Sequence, residues 1–171
     1  MLSGSEIRKQ VEAGNIFISD FTPERLNPNS YNLRLSNVLY EVHKPVDMKR
    51  RTPLKRHAMT DEGFTLQSGR FYLGSTIEST FTSRFVPCLD GRSSVARLGL
   101  AVHITAGFGD VGFNGRWTLE LIAAVPTTIY PGCEICQIYF HPVEGETDIL
   151  YRGKYQHSID AMDSRMYKEF E

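Results

Sequence analysis

Residues 89–121 read LDGRSSVARLGLAVHITAGFGDVGFNGRWTLEL. This stretch contains most of the side chains that could take part in catalysis or ligand binding. The first third of this stretch predicts a tight turn followed by a short helix at 93–98, which a glycine ends. Ser93 and Arg97 stand four positions apart and therefore share one face of that helix. The helix can thus present a hydroxyl and a guanidinium to the same ligand.

The start of the same helix is a candidate phosphate site. Arg92, Ser94 and the free backbone N–H groups of the first turn could together hold an anion. Val95 and Leu98 are expected to point the other way, into a core. Taken alone, the pattern favours the simpler interpretation, which is a capped surface helix with an exposed arginine.

A glycine-rich loop follows at 107–115, with four glycines in nine residues. Glycine lets the backbone approach a ligand closely. Asp110 in this loop could accept a hydrogen bond from a sugar hydroxyl, and Phe113 could lie against the apolar face of that sugar. The alternative is a hairpin in which Asp110 only forms a turn.

The stretch ends in a predicted strand at 117–121. Alternation along a strand places Thr118 and Glu120 on one face, and Leu119 and Leu121 on the other. Glu120 then either faces solvent or, if it is buried beside a cleft, is poised to carry a proton.

Outside this stretch, the sequence predicts one more helix and several short strands. The helix covers 3–13, because Ser3 and Glu6 form a capping box and Gly14 supplies a stop. Turn residues separate the apolar and aromatic segments that predict strands, which lie at 31–35, 71–73, 117–121 and 135–140. Many short strands with frequent turns indicate a mainly β, single-domain protein, either a barrel or a sandwich. The polar stretch from Glu144 onward is expected either to fray or to close as a flap.

Composition excludes several classes of function. The 171 residues carry a net charge of −1, so neither a nucleic-acid nor a membrane partner is expected. The longest apolar run, at 121–125, is too short to span a bilayer, and the N-terminus lacks a signal-peptide pattern. Three scattered cysteines imply no disulfide framework. We therefore expect a soluble cytoplasmic protein, and we interpret the basic stretch at 44–57 as a solvated loop.

The motifs GRSSVARLGL, HITAG, D-x-G-F-x-G and TLEL, in this order and spacing, resemble the signature of the dCTP deaminase family, a branch of the trimeric dUTPase superfamily. The likeness continues at 27–35, 71–78, 154–156 and 164–165. It implies a dUTPase-like distorted β-barrel, or β-clip, with the short N-terminal helix and the short helix at 93–98. A domain at 1–150 would carry a C-terminal flap at 151–171. The protein would be a homotrimer with nucleotide sites between subunits.

The resemblance implies hydrolysis of the 4-amino group of dCTP. Glu120 would be the general base that takes a proton from the attacking water, and Ser93 with the backbone carbonyl of Ala106 would orient that water. Arg97 would stabilise charge at the reacting centre. Ile104 would offer backbone groups to the cytosine.

The resemblance also assigns contacts to the sugar and the phosphates. Asp110 would bind the 3′-hydroxyl and take part in catalysis, and Phe113 would crowd out a 2′-hydroxyl. The triphosphate, with Mg²⁺ bridging its oxygens, would be held by Arg92, Ser94, Gln137, Tyr151, Lys154 and Gln156. The remaining implied substrate contacts are Val95, Ala96, Thr118 and Leu119.

No protein-bound metal is expected at the reacting carbon. The H-x-E pattern of zinc nucleobase deaminases is missing from the sequence. Cys133 and Cys136 have C-x-x-C spacing, but they lie in a predicted strand, where an odd separation sends two side chains to opposite faces. We interpret both as buried strand cysteines, and His103 as a structural histidine.

The family divides into enzymes that stop at dUTP and bifunctional enzymes that also cleave the α–β phosphate bond, giving dUMP and pyrophosphate. Gly107, which follows the Thr-Ala pair, resembles the bifunctional group. It would leave room for a second water near the α-phosphate, which Asp110 would orient. The chain departs from the usual pattern of the family at Gly109, Val111 and Ser158.

Three alternatives remain at this point. A deaminase that stops at dUTP is the first. A plain dUTPase is disfavoured, because Glu120 and the GRSS-x-x-R helix exceed what that reaction needs. The third is a nucleotide-binding regulatory trimer without turnover, although a binding protein has no need of a proton carrier. Feedback inhibition by dTTP is a further hypothesis that the sequence leaves open.

Overall fold

Eleven short strands and two short α-helices make up the computed structural model, which describes residues 1–171. In chain order these are α1 (Gly4–Glu12), β1 (Ile16–Ile18), β2 (Tyr31–Arg34), β3 (Val38–Val42), β4 (Leu54–Ala58), β5 (Phe64–Leu66), β6 (Tyr72–Thr82), β7 (Phe85–Gly91), α2 (Ser93–Ala96), β8 (Leu100–Ala101), β9 (Asn114–Ala123), β10 (Thr127–Ile129) and β11 (Glu134–Pro142). Two 3₁₀ helices cover Pro23–Arg25 and Met166–Glu169. The mainly β prediction is confirmed. Neither α-helix approaches the length and hydropathy needed to cross a membrane.

The N-terminal helix forms where its capping residues predict it. The backbone N–H of Glu6 donates to the Ser3 hydroxyl at 3.2 Å, and Gly14 takes a positive φ of 73° just beyond the helix end. Ile7 is fully buried and anchors the helix to the core.

The largest sheet is antiparallel and has the order β4-β3-β6-β9-β8, with β1 also pairing with β6. Its two longest strands, β6 and β9, lie side by side, and their register sets Leu73 opposite Glu120 and Ser75 opposite Thr118. Every second residue of β9 is therefore buried under the sheet, while the residues between them face outward.

A second sheet has the order β2-β11-β7, and a two-stranded sheet joins β10 to β5. Side chains of these sheets and of the largest sheet form one core, with Leu33, Leu121 and Phe140 fully buried. Alternation at 31–35 predicts a half-buried strand, but Asn32 is buried as well. Its amide donates to the Glu134 carboxylate at 2.9 Å, which satisfies the buried polar group.

A buried ion-pair cluster joins β2 to β6. The Glu78 carboxylate is fully buried and contacts Arg34 Nε at 2.7 Å and Arg25 Nη1 at 2.5 Å. Glu78 also accepts a hydrogen bond from the backbone N–H of Arg34 at 2.9 Å. The contact between Arg34 and Glu78 is therefore an ion pair that joins two of the stretches with the sequence resemblance, 27–35 and 71–78.

The helix expected at 93–98 is a single turn, and none of its residues is buried. The side chain of Val95 packs partly against the core, but Leu98 is 59% exposed, so the prediction that Leu98 enters the core is wrong. Gly99, with a φ of 76°, reverses the chain, and Leu100 takes the core position instead.

The C-terminal segment runs along the edge of β9 and does not fray. The N–H of Arg116 donates to the carbonyl of Ser158 at 2.8 Å, and the N–H of His157 donates to the carbonyl of Asn114 at 2.8 Å. Farther along, the N–H of Met162 donates to the Thr118 hydroxyl at 3.1 Å. These bonds satisfy polar groups at an edge that would otherwise be unpaired.

Candidate active site

A cavity of about 520 Å³ opens above the outward face of β9. Its walls come from β9, the glycine-rich loop, the loop between β3 and β4, and the C-terminal segment. Six of the predicted site residues line it: Ala106, Asp110, Phe113, Thr118, Glu120 and Tyr151. The glycine-rich loop and the strand that follows it therefore both contribute to one concave surface, as a ligand site requires.

The outward residues of β9 form the floor of this cavity. Thr118 and Glu120 face it, whereas Leu119 is fully buried in the core. Leu119 was predicted to contact substrate, and for its side chain this is wrong, because strand alternation turns that side chain away from the cavity.

Glu120 lies beside a histidine. Nδ1 of His103 is 2.5 Å from Oε2 of Glu120, off the best hydrogen-bond direction, and has no other partner. The backbone N–H of Ile104 also donates to the same oxygen, at 3.4 Å. The side chain of Glu120 is 25% exposed, so it is partly sheltered and still open to the cavity.

The environment of His103 favours its protonated form. Burial by itself lowers the pKa of this imidazole, but the contact with the Glu120 carboxylate and a bond from Nε2 to the carbonyl of Ala106 at 2.7 Å raise it above its ordinary value. The Ala106 carbonyl, predicted to orient water, is thus already engaged by the histidine. The sequence analysis interpreted His103 as a structural histidine, and no local pattern in the sequence indicates its contact with Glu120.

Asp110 and Phe113, which were predicted to contact a sugar, also line the cavity. Asp110 is exposed, and its carboxylate has neither a hydrogen bond nor an ion pair within the chain. The ring of Phe113 is nearly buried, with its centroid 4.6 Å from that of Trp117 and 5.9 Å from that of Tyr151. A free carboxylate next to an aromatic cluster is suited to a ligand that has both a hydroxyl and an apolar face.

The backbone of Gly107 lies in close contact with β7. A Cβ at this position would lie 2.6 Å from the carbonyl oxygen of Leu89, and Gly107 does not line the cavity. The N–H of Leu89 donates to the carbonyl of Gly107 at 2.7 Å, so the two backbones are in close contact. The glycine permits this approach to β7, and the expectation that it leaves room for a second water stays a prediction.

The residues around α2 do not reach the cavity within one chain. Ser93 and Arg97 are exposed and have no side-chain partner. Arg92 contacts Glu134 Oε2 at 3.2 Å, and Gln137 accepts a hydrogen bond from Ser30 at 2.8 Å. The other predicted contacts of this region that lie outside the cavity are Ser94, Val95 and Ala96.

Two tail residues predicted to hold phosphates are occupied by contacts within the chain. Lys154 pairs with Glu169. The amide of Gln156 accepts from the N–H of Asn114 at 2.8 Å and donates to the carbonyl of Gly112 at 2.8 Å. In this arrangement both residues anchor the tail, and neither lines the cavity.

Two aspartates that the sequence analysis did not single out fix the C-terminal segment over the cavity. Asp160 accepts hydrogen bonds from the hydroxyls of Tyr40 at 2.8 Å and Ser75 at 3.2 Å. Asp163 pairs with Arg51 at 3.0 Å. These partners are more than eighty positions away along the chain, so no local pattern could have revealed them.

Comparison with known proteins gives consistent matches. The family model described as dCTP deaminase-like matches residues 1–143. A protein of Hathewaya histolytica named "dCTP deaminase, dUMP-forming" is 51% identical over 100% of this chain and 99% of its own length. Proteins with the same name from Clostridium beijerinckii and Cytophaga hutchinsonii are 49% and 48% identical, each over 100% of this chain and 99% of its own length.

The crystal structure of 2′-deoxycytidine 5′-triphosphate deaminase from Agrobacterium tumefaciens shares the fold, with a TM-score of 0.68 at 20% sequence identity. The match covers 83% of this chain, which spans about half (48%) of that longer chain.

Proposed function

Because the chain belongs to the dCTP deaminase-like family, we propose that it hydrolyses the 4-amino group of dCTP and then cleaves the α–β phosphate bond. Two waters are consumed, and the products are ammonia, dUMP and pyrophosphate. The observation that carries this proposal is the position of Glu120, whose carboxylate enters a cavity that also presents Asp110 and Phe113.

Glu120 is the proton carrier of this proposal. Its carboxylate accepts a proton from the water that attacks C4 and returns protons to N3 and to the departing ammonia. His103 and the N–H of Ile104 hold the carboxylate from the side away from the substrate. A fixed carboxylate needs little reorganisation as the reaction proceeds, which supports this role.

The sugar is recognised by the loop that precedes β9. The unpaired carboxylate of Asp110 accepts a hydrogen bond from the 3′-hydroxyl, and the ring of Phe113 packs against the sugar. These two contacts place cytosine toward Glu120 and the phosphates toward the tail.

We place the catalytic residues of α2 at a neighbouring subunit's cavity. Ser93 and Arg97 are exposed, have no partner in their own chain and do not line its cavity. A closed homotrimer would bring them to Glu120 of the next subunit, where Arg97 stabilises charge and Ser93 orients water.

Mg²⁺ fits this chain as an ion carried by the triphosphate. No three His, Cys, Asp or Glu side chains cluster as a metal cage, so the ion would be held by the phosphate oxygens of the nucleotide. Mg²⁺ commonly binds through phosphates and one or two carboxylates and keeps several waters. When bound, it neutralises phosphate charge. We also propose a cytoplasmic location and inhibition by dTTP, which would occupy the same sugar and phosphate contacts.

Product analysis tests this function. Purified protein is incubated with dCTP and Mg²⁺, the nucleotides are separated by chromatography over time, and ammonia and pyrophosphate are measured. We expect dUMP and pyrophosphate in equal amounts with little free dUTP. Stoichiometric dUTP without pyrophosphate would instead identify an enzyme that stops at deamination. Binding without any turnover would identify a regulatory nucleotide-binding protein.

A further inference from the structure

Trp117 packs against Phe113 and against Gly109, the neighbour of Asp110. Phe113 and Asp110 are the two residues that the proposed function assigns to the sugar. Trp117 is 8% exposed, and it contributes to the cavity wall together with Gly109 and Phe113 of the glycine-rich loop. Its ring is tilted by 46° against that of Phe113, with 4.6 Å between centroids. This packing makes the position of the Phe113 ring depend on the indole.

The edge of the indole formed by Cη2 and Cζ3 lies against Gly109, the residue that precedes Asp110. A Cβ at Gly109 would lie 2.3 Å from Cη2 of Trp117, so only glycine fits against the indole here. The N–H of Gly109 donates to the carbonyl of Pro87 at 2.8 Å, which holds this backbone against β7. The indole is therefore packed directly against the loop that carries the Asp110 carboxylate.

The indole itself is locked in place by two buried threonines of β6. Nε1 of Trp117 donates to the Thr80 hydroxyl at 2.8 Å, and the backbone N–H of Trp117 donates to the Thr76 hydroxyl at 3.0 Å. Both bonds are buried, where a lost hydrogen bond is costly. Trp117 is therefore held in a fixed position, where the edge of its six-membered ring lies against Gly109 and its ring packs at a tilt against Phe113.

We propose that Trp117 is the positioning residue for deoxyribose, acting through Phe113 and the Asp110 loop. It sets the separation between the carboxylate that accepts the 3′-hydroxyl and the ring that closes off C2′. A substrate with a 2′-hydroxyl would then have to place that hydroxyl against the Phe113 ring without a partner. This inference rests on the proposed function, and it assigns sugar selectivity to a residue that does not act on cytosine.

The test compares dCTP with CTP as substrates. The ratio of kcat/KM for the two nucleotides is measured in the wild-type protein, in Trp117→Leu and in Trp117→Phe. We expect the ratio to fall by about tenfold or more in Trp117→Leu, the scale of selectivity that the shape of an apolar pocket provides. The loss should come mainly from a higher KM for dCTP and a lower KM for CTP. Trp117→Phe keeps an aromatic ring next to Phe113 but loses the bond to Thr80 and the contact of the indole with Gly109, so its ratio should also fall, by less than in Trp117→Leu.

Leu66→Ala serves as the matched control, because Leu66 is fully buried on β5 and lies outside the cavity. It should lower the melting temperature and leave the ratio unchanged. If Trp117→Leu also lowers only the melting temperature, or reduces turnover of both nucleotides equally, the inference is overturned. If Trp117→Leu does not fold, an unchanged ratio in Trp117→Phe at reduced stability overturns it, and a reduced ratio supports it. A wild-type protein that does not turn over dCTP would contradict the proposed function instead.

Discussion

Nδ1 of His103 lies 2.5 Å from Oε2 of Glu120 at the edge of the cavity. The histidine belongs to the segment that follows β8 and the glutamate belongs to β9, so their contact joins this segment to β9. Because Nε2 of His103 also forms a hydrogen bond with the carbonyl of Ala106, the imidazole links the carboxylate to the backbone just before the glycine-rich loop. The position of the proposed proton carrier therefore depends on a titratable group.

Replacing the proton carrier should stop deamination. Glu120→Gln keeps the shape of the side chain and removes its ability to accept a proton, so ammonia release should fall by at least about a hundredfold. Binding of dCTP, measured by calorimetry, should remain. Glu62→Gln, an exposed change of the same kind, should leave both properties unchanged. Ammonia release near the wild-type rate in Glu120→Gln would show that another group carries the proton.

His103 should make stability depend on pH on the alkaline side of its ordinary pKa. Since the pKa of the folded imidazole is raised above 6.5, its protonated form stabilises the fold fully below that value, and the stabilisation is lost as pH rises through the raised pKa. The advantage of the wild-type protein over His103→Asn in urea unfolding should therefore shrink as the pH rises above 6.5, the ordinary pKa of histidine. Equal pH dependence of the two proteins would rule out this coupling.

The Asp160 anchor should control closure of the C-terminal segment. Asp160→Ala removes the acceptor for both Tyr40 and Ser75, so the segment should open more often, protease should cut it faster, and KM for dCTP should rise. The melting temperature of the core should change little. Glu171→Ala, at the exposed chain end, is the control. Wild-type rates of proteolysis in Asp160→Ala would mean that the other tail contacts suffice.

The buried Glu78 cluster should be far more important for stability than a surface pair. Glu78→Gln leaves Arg25 and Arg34 without their carboxylate, and we expect a loss of about 3–5 kcal/mol in the free energy of unfolding. Glu12→Gln breaks the exposed pair with Arg8 and should cost less than about 1 kcal/mol. Urea denaturation measures both, and similar losses would contradict the assignment.

Subunit mixing should reveal a site shared between chains. Arg97→Ala and Glu120→Gln should each be inactive alone, because each trimer lacks one component at every site. Mixed trimers contain sites that combine an intact Arg97 from one subunit with an intact Glu120 from its neighbour, so exchange of subunits should restore ammonia release. Light scattering checks that the mixture is trimeric. Continued inactivity of verified mixed trimers would place both residues of a site in the same chain.

Local patterns in the sequence determined the limits of a helix, the faces of a strand and the family of this protein. The Ser3 cap and Gly14 set the limits of α1, because a helix end is satisfied by neighbours in the chain. The two-residue period of a strand placed Thr118 and Glu120 on one face of β9. The order of the motifs in 89–121 was also sufficient to indicate the family.

Only the tertiary structure decided which of these groups meet. The contact of His103 with Glu120, the anchoring of Asp160 and the packing of Gly109 against Trp117 each join segments that the chain brings together by folding. The same holds for Leu98, which an amphipathic pattern assigned to the core and the turn at Gly99 moved to the surface. Sequence periodicity describes which face of its own element a side chain occupies. What that face contacts depends on the register and packing of other elements, and these are set by the free energy of the whole fold.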